Sequence, residues 1–185
     1  MNYGRYQQSS ILCVCLGMFL GLTACSTAPS AESPKPQAAA PAGSDLRAVI
    51  PPAFHPDRKK TIDPNAVPLF ETAMQSYSRK DYGKASVTLR EVTLKSPESP
   101  EARFFLGICY LMTNDTEAAI SELKTAAALG DSEYREDAHF FLGQAYARKR
   151  DSINATRELD QVIEINGTQA AKARTLREIV NVSIR

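Results

Sequence analysis

The sequence predicts an all-α domain of stacked antiparallel helix pairs, carried behind an N-terminal leader and a proline-rich tether. Three observations predict it. Residue types recur at fixed offsets: from Ala73, steps of 12, 16, 19 and 24 residues reach Ala85, Leu89, Val92 and Pro97. The same steps lead from Gly107 to Ala119, Leu123, Ala126 and Asp131, and from Gly143 to Ala155, Leu159, Val162 and Gly167. The copies are spaced by 34 and then 36 residues, the length of a helix–turn–helix unit. From Ile62 onward apolar residues fall three and four apart with no strand-like alternation, and Pro97, Pro100, Gly130 and Gly167 stand at plausible helix boundaries.

The leader comes first in the chain. Residues 1–10 are polar with one cation, Arg5, and residues 11–22 form an uncharged apolar run. Twelve residues rise roughly 18 Å as a helix, well short of a ~30 Å hydrocarbon core, so the run predicts a signal-peptide hydrophobic region rather than a membrane span. It ends in Leu22-Thr23-Ala24-Cys25, which resembles the lipobox of bacterial lipoproteins. The resemblance implies removal of residues 1–24, diacylglyceryl transfer to the Cys25 thiol and acylation of the new N-terminus. Ser26, rather than Asp, resembles outer-membrane sorting. Several acyl chains anchor stably where one binds only marginally. With Cys13 and Cys15 removed and Cys25 acylated, Cys109 is left as a single thiol, so no intramolecular disulfide is expected. Its apolar helical surroundings predict a buried structural residue.

Residues 25–61 carry Pro29, Pro34, Pro36, Pro41, Pro51, Pro52 and Pro56 among many Ala and Ser. Proline at this density interrupts helices and sheet ladders, which predicts an extended tether. Leu46, Val49, Ile50 and Phe54 form an apolar cluster inside it. Two readings stand for that cluster: a locally sticky linker, or a segment that docks on its own domain or on a partner.

The repeating part, residues 62–185, resembles the tetratricopeptide repeat over about residues 66–169, with copies at about 66–99, 100–133 and 136–169. The resemblance implies a short right-handed superhelix of three helix pairs. The small residues at Ala73, Gly107 and Gly143 and at Ala85, Ala119 and Ala155 allow close approach of paired helices, with Leu106, Tyr110, Leu123 and Ala126 filling one contact and Leu142, Tyr146, Leu159 and Val162 the next. Asp81, Asp115 and Asp151 share one position between the paired helices, where a short carboxylate caps the free N–H groups of the second helix. Departures from the family pattern are Ser76 in place of the aromatic at Tyr110 and Tyr146, the charged or polar Arg103 and His139 where Trp or Leu is common, and Lys80 and Arg150 where the turn commonly holds Gly. Residues 170–184 place Leu176, Ile179, Val180 and Ile184 on one face and Lys172, Arg174 and Arg177 elsewhere, as expected of a solubilising cap helix over the open end of a stack.

Composition and motifs narrow the function. Net charge is +1 over 185 residues, and zero without the leader, whose one charge is Arg5; no basic field points to nucleic acid. His55 and His139 belong to no zinc-ligand pattern, and the chain has no glycine-rich phosphate loop or nucleophile elbow. The expectation is therefore a noncatalytic protein with no cofactor, no metal and no small-molecule substrate. A stripe recurs on the first helix of each pair: Phe70, Met74 and Tyr77; Phe104, Ile108 and Leu111; Phe140, Gln144 and Ala147. By the resemblance, this stripe lines the concave face on which such proteins hold peptides or helices. Relatives that grip a peptide carboxylate use Lys and Asn there; Phe in their place argues against that mode. The expected function is a membrane-anchored, periplasm-facing adaptor or scaffold that binds an envelope protein or peptide in assembly or maintenance. The alternatives are self-assembly through the same face and accessory regulation of an envelope enzyme.

Overall fold

The computed structural model describes residues 49–56, 61–129 and 133–182. Residues 1–24, Cys25, Leu46, Gly130, Asp131 and Ile184, which carry several of the expectations above, lie outside the described residues. The elements are a short 3-10 turn, Pro64–Ala66, followed by α1 (Val67–Ser78), α2 (Tyr82–Lys95), α3 (Pro100–Met112), α4 (Thr116–Ala128), α5 (Arg135–Arg148), α6 (Ser152–Ile165) and α7 (Ala170–Val182). Each helix packs on the ones before and after it, so α1/α2, α3/α4 and α5/α6 are three pairs stacked in chain order with α7 closing the series. Among the described residues there is no strand.

The three pairs are built by one local mechanism. At the end of each first helix the chain passes through a left-handed residue: Lys80 (φ 63°), Asn114 (φ 65°) and Arg150 (φ 60°). The next amide turns back to the helix, Asp81 N–H donating to the Ser76 carbonyl (3.0 Å), Asp115 N–H to Tyr110 (2.9 Å) and Asp151 N–H to Tyr146 (3.0 Å). This closure satisfies carbonyls that the ending helix leaves without partners. The same aspartates then cap the following helix, each accepting from the backbone N–H three residues on: Lys84 (3.1 Å), Ala118 (3.2 Å) and Asn154 (3.1 Å). The capping role expected of Asp81, Asp115 and Asp151 is thus what the structure displays. Asn tolerates the left-handed region better than Lys or Arg, so the first and third turns carry the greater backbone strain.

Within a pair, contact is close because a side chain is missing. A Cβ on Gly107 would lie 2.7 Å from Cγ of Leu123, and one on Gly143 2.7 Å from Cδ2 of Leu159. Ala85, Ala119 and Ala155 are fully buried, as are Leu89, Leu123 and Leu159. The unusual Arg103 and His139 have partners at matching positions: Arg103 Nη1 donates to Glu122 Oε2 (2.8 Å), and His139 Nδ1 lies 2.8 Å from Glu158 Oε2. Each link joins the two helices of its pair, where the first repeat has Leu69 and Thr88 instead. Polar cross-links thereby replace the bulky apolar residue that the family pattern carries at this site. Cys109 is buried, and that burial pushes its thiol up to about 12, far from the reactive range.

Helix α7 covers the open end. Ala170, Ala173 and Val180 are buried and Leu176 partly so, whereas Lys172, Arg174 and Arg177 face solvent. The Glu136 carboxylate accepts from the Thr168 and Gln169 amides (3.0 and 2.7 Å) at the start of α7. Gly167 leaves the room for it, since a Cβ there would collide with the Glu136 carboxylate.

Two outcomes follow for stability. Gly107→Leu drives a side chain into Leu123 and is expected to cost about 1–3 kcal/mol, read as a lower unfolding midpoint in denaturant at unchanged slope. Lys80→Gly relieves left-handed strain, partly offset by glycine's greater freedom in the unfolded chain, and is expected to stabilise by about 0.5–1 kcal/mol. A lower midpoint for the Lys80 variant would contradict the strained turn.

Candidate binding face

The stripe on the first helices becomes one continuous aromatic row. Phe105 on α3 stands against Phe70 (6.4 Å between ring centroids) and Tyr77 (5.2 Å) on α1, and Phe104 against Phe141 (5.8 Å) on α5. Phe140 and Phe141 adjoin at 5.6 Å and extend the row. Most contacts are edge-on or tilted, the arrangement favoured by ring quadrupoles. Tyr134, from the α4–α5 connection, packs on both Phe104 and Phe105 at 5.2 and 5.7 Å. That connection, residues 129–134, is two residues longer than the α2–α3 connection, residues 96–99, which accounts for the change of repeat spacing from 34 to 36.

Of the predicted stripe, Phe70, Met74, Tyr77, Phe104, Ile108, Leu111 and Phe140 are all buried, and Gln144 and Ala147 are half-buried. Phe104 is only 1% exposed. The structure brings Phe70 and Tyr77 together through Phe105, a residue the sequence pattern did not single out. The signal for it was present: Phe104-Phe105 and Phe140-Phe141 are doublets one repeat apart. Gln144 presents a buried Oε1 with no hydrogen-bond partner among the described contacts.

A stretch of the tether lies on this face. Phe54 sits edge-on to both Phe70 (5.9 Å) and Phe105 (5.6 Å). The Tyr77 hydroxyl donates to the Pro52 carbonyl at 2.8 Å, and burial pushes that phenol above its ordinary pKa, so it remains a donor. Val49 is 7% exposed, whereas Ile50 is 82% exposed. Of the two readings of the apolar cluster, docking on the chain's own domain is the one displayed by Val49 and Phe54. Further on, Thr61 donates through its amide and its hydroxyl to Glu101 (2.8 Å for the hydroxyl), and the Asp63 amide donates to Ser96 Oγ at 2.8 Å. Pro52 meets Tyr77 near the end of α1 and Thr61 meets Glu101 at the start of α3, so the segment runs opposite to both helices. A cleft of about 480 Å3 remains beside it, between Phe54, Pro56 and the α1 residues Glu71, Met74, Gln75, Ser78 and Arg79. Glu101 is 1% exposed. Its counterpart one repeat on, Asp137, is also buried and accepts from Gln169 Nε2 at 2.9 Å. Buried carboxylates at one repeat position therefore hold the segments that flank the stack at each end.

Comparison with known proteins places this geometry in a class. Residues 76–136 match the tetratricopeptide repeat model. The chain is similar to the Yersinia enterocolitica type III secretion chaperone SycD, solved in complex with a peptide of the translocator YopD, at 13% identity and a TM-score of 0.60 over 66% of this chain and 97% of that one. It is similar to the TPR2B domain of yeast Sti1, in a complex with pHsp70, at 15% identity and a TM-score of 0.60 over 65% and 99%. It is also similar to the Sgt2 TPR domain of Aspergillus fumigatus, at 20% identity and a TM-score of 0.58 over 66% and 81%. No curated protein matches the chain in sequence. The fold is an all-α helical repeat of the tetratricopeptide type.

Phe104→Ala empties a fully enclosed site and is expected to cost about 3–5 kcal/mol, whereas Phe54→Ala, at a half-buried site on the outer side of the row, is expected to cost less than half as much. Denaturant unfolding of the two variants measures the contrast; equal losses would make residues 49–56 an integral wall of the core.

Proposed function

We propose that this chain is a noncatalytic adaptor lipoprotein of the bacterial envelope, anchored through acylated Cys25 in the outer membrane with its repeats in the periplasm. In this reading the aromatic face of α1, α3 and α5 holds an extended apolar segment of an envelope protein during assembly or maintenance. The observation that carries it is the seating of residues 49–56 on Phe70, Phe105 and Tyr77, because a face that receives one extended peptide has the shape and chemistry to receive another. The aromatic row supplies large rigid contacts of the kind that dominate protein–protein affinity. The peptide captured by SycD adds a precedent for the fold. Of the stripe from Phe70 to Gln144, Phe70 and Tyr77 belong to this proposal as the partner-facing surface, with Phe105 added to them, and the enclosed Phe104, Ile108 and Leu111 support that surface from within the core.

Two measurements test the reading. Growth on labelled palmitate is expected to mark the wild-type chain and to leave Cys25→Ser unmarked and unprocessed; equal labelling of both would remove the anchor. A photoreactive residue at Glu71, beside the cleft, is expected to crosslink a distinct envelope protein in intact cells, while one at the exposed Glu91 of α2 is not. Equal yields at the two positions would remove the binding face.

A further inference from the structure

We propose that residues 49–56 are a displaceable ligand of the chain's own binding face, hinged at Thr61–Asp63, and that the partner is an extended peptide bearing an aromatic residue flanked by prolines. The inference rests on the binding-face reading above and specifies the chemistry that the face selects.

The two ends of the segment are held very differently. Thr61 makes two hydrogen bonds to the carboxylate of Glu101, which is almost wholly removed from solvent, and Asp63 makes another to buried Ser96. Pulling this end away would strip a buried carboxylate of its donors, which is costly. Among the described contacts, the other end rests on Val49, the ring of Phe54 and the hydrogen bond to the Pro52 carbonyl. Ile50, Ala53, His55 and Pro56 are exposed, so the footprint is small and partly open to the neighbouring cleft. Such a contact is sustained by covalent attachment, which gives the segment a high effective concentration at the face. A separate peptide with the same features and a larger apolar footprint can therefore replace it while the hinge stays closed.

The contacts also define what the site recognises. Phe70 and Phe105 form an edge-on clasp for one ring, and Tyr77 donates to a carbonyl two residues before that ring. Prolines at 51, 52 and 56 keep the segment extended and lower its entropy of docking. No ligand charge is used by these contacts, in keeping with a row of Phe and Tyr.

The test uses the full-length chain in detergent and a fluorescent synthetic peptide of residues 48–57 as the probe. Phe54→Ala vacates the clasp and is expected to bind the peptide at least tenfold more tightly than wild type. Val49→Ala, which trims the other apolar contact of the segment and leaves Phe70, Phe105 and Tyr77 intact, is expected to bind the peptide with an affinity between those of wild type and the Phe54 variant and serves if the first variant does not fold. A peptide with Phe54 replaced by Ala should bind neither chain. Equal peptide affinity for wild type and variants would overturn the displaceable segment while leaving a binding face. Absence of peptide binding to every folded variant would overturn the binding face itself. A wild-type dimer that dissociates on Phe54→Ala would assign the segment to a second copy and overturn docking within one chain.

Discussion

Leu123 and Leu159 pack against helix backbone that carries no side chain. A Cβ on Gly107 or Gly143 would enter that space, and the first pair has Ala73 at the corresponding repeat position, fully buried like Leu89. This close approach sets the spacing of each helix pair, and everything downstream inherits it. The αL turns at Lys80, Asn114 and Arg150 have a fixed span to cross, the aspartate caps meet the next helix in register, and the first helices line up so that their aromatic residues touch. Interiors packed to crystal-like density leave little slack for a different spacing.

Polar groups complete the pairing where apolar ones are absent. Arg103–Glu122 and His139–Glu158 connect paired helices at one repeat position, and they do so in half-buried surroundings, where an unmatched charge would be costly. Glu101 and Asp137 act in the other direction, outward from the stack, by receiving hydrogen bonds from the segments before α1 and after α6. One repeat architecture thus supplies two kinds of polar contact: cross-links inside a unit, and sockets for the chain at either end.

The docked segment gives the face its chemical definition. Phe70, Phe105 and Tyr77, from α1 and α3, form a small aromatic clasp in which the Phe54 ring sits. Tyr134, supplied by the longer α4–α5 connection, fixes Phe104 and Phe105 from the far side. A rigid clasp loses little side-chain entropy when a segment docks on it.

The helices, the aspartate caps and the small-residue contacts were legible in the sequence because each lies within one helix pair and recurs at a period of 34 to 36, and the cap helix because its apolar residues share one helical face. Repetition tests such local patterns three times over. The stripe Phe70, Met74, Tyr77 and its successors was legible as a helical face for the same reason. Its surroundings were not. Neighbouring helical residues such as Phe104 and Phe105 point about 100° apart, and periodicity alone does not say that both serve one aromatic row; packing of α1, Tyr134 and α5 around α3 decides that. Nor does composition say whether a proline-rich apolar cluster is tether or ligand. Phe54 reaches Phe70 and Phe105 across 16 and 51 residues of chain, and only the folded stack creates the clasp that makes docking favourable. What depended on near neighbours was determined by the sequence itself; what depended on surfaces brought together from distant positions was decided by the tertiary structure.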